Sequence, residues 1–452
     1  MRHELYDTTR SIGSAVSDLE TREKYSSRNT SHTLGKMSET KVKKRKWYSL
    51  YDKVYGLTNL ERAWEKVRSN KGAGGVDRQS IADFEREKGK HLREIHRLLR
   101  EKRYKPLSLR RVYIPKGNGE RRPLGIPTIR DRVVQQALLN ILEPIFEPTF
   151  HEHSYGFRAN RSTHTAIEHV VKSMQEGKEW VLEIDIRKYF DTVNHELLLD
   201  AVNEEVSDGS VLRLIRLFLE SGVMEEGVGW RATEEGTPQG GVISPLLANI
   251  YLNHFDWEMA KRGHDTVRYA DDAVVLCVSR EEAERALGDV RKMLEGKLRL
   301  KLHPEKTCIL YHREGSFDFL GFLVHRRYLW PRMRTLRRFK EKVRLATRRQ
   351  QGRNVQEVIR LLNPVLRGFG NYYLRANIKG LFQQLDEWIR MRVRCFMEKK
   401  RAVQHQNRRI PNALLERMGL LSLTGLYAES LLLPVMGQPY RKAVYGNSVR
   451  TV

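Results

Sequence analysis

The feature that most limits what this chain can become is the stretch Thr266 to Val278, where two β-prone runs meet at the acidic pair Asp271-Asp272. Tyr269 precedes the pair and Val274, Val275 and Leu276 follow it, a pattern that reads as a β-hairpin with carboxylates near its tip. A second strand, Trp180-Val181-Leu182-Glu183-Ile184-Asp185-Ile186, alternates so that Leu182, Ile184 and Ile186 share one face and Glu183 and Asp185 the other. If the hairpin lies beside that strand, three carboxylates converge on an oxygen-donor site suited to Mg²⁺. Two such ions, about 3.5 to 4 Å apart, serve an in-line phosphoryl displacement. Spacing alone leaves another reading open, in which Asp271-Asp272 is only a turn and Asp185 a surface residue.

The surroundings predict an α+β unit. Ser279 and Glu282 have capping-box spacing and open a helix whose apolar stripe is Ala283, Ala286, Leu287, Val290 and Leu294. After Gly236-Thr237-Pro238-Gln239-Gly240-Gly241, Ser244 is the expected N-cap and Pro245 the first residue of a helix that turns Leu247, Ile250 and Tyr251 inward. Nearer the N-terminus, Thr58 and Glu61 read as another capping box before Leu60, Ala63, Trp64 and Val67. Lys71-Gly72-Ala73-Gly74-Gly75 lacks a following Gly-Lys-Ser/Thr, so a plain flexible loop is expected rather than a phosphate cradle. Residues 111 to 116 alternate as a strand, and Lys116-Gly117-Asn118-Gly119 reads as its hairpin turn. A core helix is expected from about Arg130 to Phe146. From about Leu336 the pattern becomes helical with Arg and Lys outside, a separate basic domain beyond a boundary near Tyr328 to Met333, where Pro331 breaks regular structure.

Charge selects the partner. The chain has 82 Lys and Arg against 56 Asp and Glu, a net +26, which requires a polyanion and fits nucleic acid. Lys43, Lys44 and Arg45 in the N-terminal extension, and Arg390 and Arg394 on a C-terminal helix, are candidate contacts to such a polyanion, which the resemblance described below makes RNA. No apolar run is long enough for a membrane span or placed as a secretion signal, and three unpaired cysteines (Cys277, Cys308, Cys395) fit a reducing, cytoplasmic setting. Near the carboxylates, Lys116, Arg122 and Lys306 are cations available against a triphosphate, with a solvated surface charge as the alternative reading of each. Phe190 is placed to sit under a sugar and exclude a 2′-hydroxyl, with a core Phe as the alternative, and Gln239 offers a donor and an acceptor on a flexible turn.

Tyr269-Ala270-Asp271-Asp272, with Gly236 to Leu252, resembles the reverse transcriptase and maturase proteins encoded by group II introns. Arg122-Pro123-Leu124-Gly125-Ile126-Pro127, Ser154-Tyr155-Gly156-Phe157-Arg158, Phe319-Leu320-Gly321-Phe322 and Leu366 to Tyr373 occur in the matching order, over about Trp47 to Lys400. The resemblance implies a right-hand polymerase: a flexible basic extension (1–46), fingers (47–150), a palm with remaining fingers elements (151–330), a helical thumb or maturase domain (331–402) and a C-terminal segment (403–452) that binds DNA or completes the thumb. It implies Asp185, Asp271, Asp272 and the backbone carbonyl of Ile186 as ligands of two Mg²⁺ ions. It also implies Lys116, Arg122, Phe190, Gln239 and Lys306 as the site for deoxynucleotides. The implied partners are intron RNA, an RNA template with a DNA primer, and target DNA, reached in a bacterial cytoplasm at the nucleoid. Many relatives end in a His-Asn-His nuclease with paired cysteines, so second-strand nicking is not expected of this chain.

Overall fold

The computed structural model describes residues 46–115, 121–225, 229–231, 235–237, 240–326, 328–399 and 409–432. Its first elements are helices α1 (Tyr51–Tyr55), α2 (Leu57–Asn70), α3 (Ile81–Arg86) and α4 (Lys88–Arg100). Leu60, Ala63, Trp64 and Val67 lie one turn apart on α2 and all are buried, with Trp64 stacked on Phe84 at 4.4 Å. The expected cap is off by two residues. Gly56 occupies the cap position and Thr58 lies inside the first turn, whereas Ser80 and Asp83 form a true capping box on α3.

Strands β1 (Leu109–Pro115) and β2 (Arg121–Ile126) pair antiparallel with Pro115 opposite Arg121, the hairpin that the sequence predicts. Lys116 lies outside the described residues, as does the side chain of Arg122. Thr128 caps α5 (Ile129–Phe146) by accepting from Asp131 N at 3.1 Å. The glycine cluster at 72–75 packs against the start of this helix. Arg110 donates to Gly74 O, Arg132 to Ala73 O, and a Cβ on Gly75 would stand 2.6 Å from Thr128 N, so the loop is latched to the start of α5.

The chain continues through α6 (Thr163–Gln175), β3 (Trp180–Asp185), α7 (Tyr189–Thr192), α8 (His195–Glu205), α9 (Gly209–Leu219), β4 (Val223–Glu225) and β5 (Gly229–Arg231). β4 runs parallel to β1 and completes a sheet of order β2-β1-β4-β5. Then come α10 (Ser244–Lys261), β6 (Asp265–Tyr269), β7 (Asp272–Cys277), α11 (Arg280–Arg291) with a π-helical turn at Lys292–Lys297, and β8 (Cys308–Tyr311). Ser244 is the first residue of α10 rather than its cap. Ser279 does cap α11, accepting from Glu282 N at 3.2 Å.

The central sheet has the order β6-β7-β3-β8, all antiparallel. Successive side chains point to opposite faces, and both faces are covered. Leu182, Ile184, Ala273, Val275 and Cys277 join one apolar cluster with α1 to α5, α8 to α10 and α11. Val181, Val274 and Leu276 join a second with α6 and everything that follows β8. That remainder is the sheet β9 (Ser316–Phe319), β10 (Phe322–His325) and β11 (Tyr328–Pro331), then α12 (Met333–Ala346), α13 (Val355–Tyr373), α14 (Lys379–Met397), α15 (Asn412–Arg417) and α16 (Leu423–Leu432). The C-terminal helices are therefore not separate in their packing, because they share one core with the second face of the central sheet.

Two blocks distant in sequence explain the joint. Tyr372 and Tyr373, at the end of α13, donate their hydroxyls to Leu320 O and Gly321 O at 2.7 and 3.0 Å, and Tyr372 stacks on Phe322 at 5.4 Å. His164 bonds Tyr372 O at 2.7 Å, and Glu168 pairs with Arg375, so α6 is tied to the same helix.

Candidate active site

Register decides whether the carboxylates meet. β3 and β7 pair with Ile184 opposite Ala273 and Asp185 opposite Asp272. Directly opposed residues on an antiparallel pair have Cβ atoms roughly 4.5–5.5 Å apart and share a face. Tyr269 also opposes Asp272 in the β6–β7 hairpin, leaving Ala270 and Asp271 as its turn. The three aspartates therefore gather at one end of the sheet, on the face that farther along carries the C-terminal helices.

The charges there are mutually unfavourable. Asp272 is reached by solvent, yet its carboxyl is pushed up to about 6, first by its enclosure in protein and then by Asp271 and Asp185. Lys306 approaches Asp185 Oδ2 at 3.0 Å and supplies one counter-charge. Lys306 thus stands against a carboxylate, where the sequence suggests a place against phosphate. Backbone bonds fix the strand end: His303 N donates to Asp185 O and Arg187 N to Lys301 O, both at 2.8 Å, around the bridge between Ile186 and Leu302. Neither bond uses the polar backbone groups of Ile186, so its carbonyl faces the Asp271 side of the strand. Three carboxylates and a carbonyl are a hard oxygen donor set, and the neighbouring carboxylates act on Asp272 in the direction that a cation would offset, so the residues present fit a divalent ion.

Phe190 lies on α7, half-buried, with its ring edge-on to Tyr189 at 5.3 Å. Tyr189 is the core residue of the two, bonding Ala248 O at 2.8 Å. Thr237 N donates to Phe190 O at 2.7 Å, and a Cβ on Gly236 would come 2.7 Å from that same oxygen. At the other end of the loop, a Cβ on Gly240 would stand 2.4 Å from Gly125 O on β2. Glycine at these two positions lets the loop fit between α7 and β2, which brings together three blocks read separately in the sequence. Gln239 itself lies outside the described residues.

Of the expected RNA contacts, one is buried in the structure. Lys43, Lys44 and Arg45 lie outside the described residues. Arg394 is internal, 5% exposed, with Nε on Ile410 O at 2.9 Å and Nη2 on Asn412 Oδ1 at 2.6 Å. It anchors the segment after α14, since a buried guanidinium needs acceptors. Arg390, one turn earlier, is half-buried beside Leu415, Glu416 and Leu421. A row of exposed cations lies on α12, where Arg334, Arg337, Arg338, Lys342 and Arg344 accompany one acid, Glu341, while Phe339 and Val343 face inward. The signal was present in the sequence as a helical stripe with Phe339 and Val343 on one side and arginines on the other.

Among the described residues, one trio has ligand-type atoms all within 4.8 Å of one another: His153, His169 and Asp265. In the trio, Asp265 already accepts from His169 at 2.9 Å, Ser173 at 2.6 Å and Lys178 at 2.5 Å, and these bonds hold it well below the usual carboxylate range. With its charge met by Lys178, this cluster is a brace between α6 and β6.

Residues 114–324 match the family described as reverse transcriptase (RNA-dependent DNA polymerase), and residues 336–412 match the group II intron, maturase-specific domain. The chain belongs to the group II intron reverse transcriptase and maturase family. It is 41% identical over 272 residues to protein YkfC of Escherichia coli (strain K12), covering 52% of this chain and 71% of that one. Group II intron-encoded protein LtrA of Lactococcus lactis subsp. cremoris is 41% identical over 197 residues, 43% of this chain and 32% of its own length. Nuclear intron maturase 4, mitochondrial, of Arabidopsis thaliana is 33% identical over 135 residues, 30% and 17% of the respective chains. The chain thus spans less than a third of the two longer intron-related proteins. No helix among the described residues is long and apolar enough to cross a membrane.

Proposed function

We propose that this family member is an RNA-directed DNA polymerase that also acts as a maturase on a group II intron RNA. The observation that carries the reading is the register of Asp185 against Asp272 with Asp271 in the adjoining turn. Asp185, Asp271, Asp272 and the Ile186 carbonyl would hold two Mg²⁺ ions. When bound, these lower the charge barrier to joining a primer hydroxyl to a deoxynucleotide and releasing pyrophosphate.

The remaining work falls to the chain. Lys306, paired with Asp185, would supply a positive charge to a phosphate bound beside the carboxylates. Lys116 and Arg122 face the triphosphate, Phe190 lies under the deoxyribose and rejects a 2′-hydroxyl, and Gln239 contacts the nascent pair. Support for this grouping comes from the loop that packs against both the Phe190 backbone and β2. The arginines of α12 contact the phosphates of the template–primer duplex or of intron RNA, and the net charge of +26 favours either. The intron RNA is bound for splicing and then copied at a DNA target, at the nucleoid of a bacterial cell. The test is extension of a DNA primer on an RNA template with deoxynucleotides or ribonucleotides, beside titration of the candidate intron RNA. Extension with deoxynucleotides only, together with tight intron binding, is expected; binding without extension would leave a splicing factor alone.

A further inference from the structure

Arg268 stands on β6, three residues before Asp271, and is only 1% exposed. A guanidinium in that position is destabilising unless every donor finds an acceptor. All five N–H donors do. Nε and Nη2 bond the two oxygens of Asp256 at 2.7 and 2.6 Å, Nη2 also reaches Ser154 Oγ at 2.7 Å, and Nη1 reaches Asn249 Oδ1 at 3.1 Å and Ala270 O at 2.8 Å. Asp256 and Asn249 are two turns apart on one face of α10. Asn249 passes the link onward through Nδ2 to Gly156 O at 2.8 Å.

The acceptor that matters is Ala270 O, because it belongs to the peptide that leads into Asp271. Ala270 sits at φ 59°, in the left-handed region that is unfavourable for a residue with a Cβ. Such a conformation persists where its surroundings over-determine it. Here they do so from two sides. Arg268 holds the carbonyl, and Gly156 packs so closely that a Cβ on it would lie 2.3 Å from Ala270 N. The backbone of Arg268 is fixed in turn, its N–H donating to His153 O at 3.0 Å and its carbonyl accepting from Tyr155 N at 2.8 Å.

We propose that Arg268 is a positioning residue for the polymerisation site: seated by Asp256, it fixes the Ala270 carbonyl and so aims the Asp271 and Asp272 carboxylates at Asp185. The inference rests on the proposed role of those aspartates. A purely structural ion pair would be replaceable by apolar side chains of similar volume, since exchanging both partners of a buried pair is often neutral for stability while removing one is strongly destabilising. A positioning pair would not be replaceable in this way, because a displacement of about 1 Å is worth on the order of 100-fold in rate.

The experiment compares the full chain with Arg268→Met/Asp256→Leu and with Arg268→Lys, reading primer-extension kcat, deoxynucleotide KM, intron RNA affinity and melting temperature. The double variant is expected to fold and bind RNA like the natural chain, with KM within about twofold and kcat lower by roughly 30- to 100-fold. Arg268→Lys keeps a charge beside Asp256 but cannot span to Ala270 O, and its kcat is expected to fall at least about tenfold at unchanged KM. A folded double variant with natural kcat overturns the proposal. If the double variant does not fold, natural kcat in Arg268→Lys overturns it. Absence of extension by the natural chain refutes the polymerase reading instead, so the two failures are distinct.

Discussion

Proton competition at Asp272 gives the sharpest quantitative expectation. Its carboxyl is pushed up to about 6 by enclosure and by the neighbouring Asp271 and Asp185, with Arg332 and Lys306 acting in the opposite sense. A metal ligand must be deprotonated, so affinity falls as pH drops through the pKa of the ion-free chain. Between pH 7 and pH 5 a carboxyl at about 6 goes from roughly nine-tenths to one-tenth ionised, which weakens divalent-ion binding about tenfold, or ~1.4 kcal/mol. A carboxyl near its ordinary value of about 3.9 would weaken it by only about 1.1-fold over the same interval. The assay is titration with Mn²⁺, whose free-ion paramagnetic signal counts bound ions, at fixed ionic strength, with Asp272→Asn beside the natural chain. The natural chain should lose about tenfold in affinity between pH 7 and pH 5, and the variant should bind weakly with little dependence on pH. A change of less than about twofold in the natural chain would refute the crowding of carboxylates on which this rests.

Two further expectations test other contacts. Gly156→Ala places a Cβ against Ala270 N, so it should cost about 1–3 kcal/mol in thermal unfolding and reduce extension more than it reduces RNA binding; unchanged activity would show that the loop can move away at no cost. Replacing Arg334, Arg337 and Arg338 by Gln should weaken RNA binding uniformly across sequences and lower the log–log salt slope by about 2–3; an unchanged slope would remove that face of α12 from the interface.

Much of the site was legible because its signals are local. Alternation places Asp185 opposite the apolar face of β3, an acidic pair marks the tip of the hairpin, and helical spacing gives the buried stripes of α2 and α11. The register between β3 and β7 was not legible, since pairing across such a sequence distance depends on packing on both faces. Arg394 shows the same limit from the other side. A helical arginine reads as solvated until the segment at Ile410 and Asn412 folds over it. Arg268 and Asp256 likewise look like ordinary charges in sequence, and only the convergence of α10, β6 and the Ser154 loop buries them as a pair. The glycines at 75, 156, 236 and 240 gave a weaker signal, because the need for a close approach appears only once the opposing backbone is in place.

The central claim is that Asp185, Asp271 and Asp272 form a polymerising site on a protein that grips RNA elsewhere. The most direct test is Asp271→Asn, nearly the same shape without the charge, assayed for primer extension on an RNA template and for intron RNA affinity in the same preparation. The account predicts extension lost by at least about 1,000-fold with RNA affinity within about twofold of the natural chain. Extension at the natural rate would contradict it.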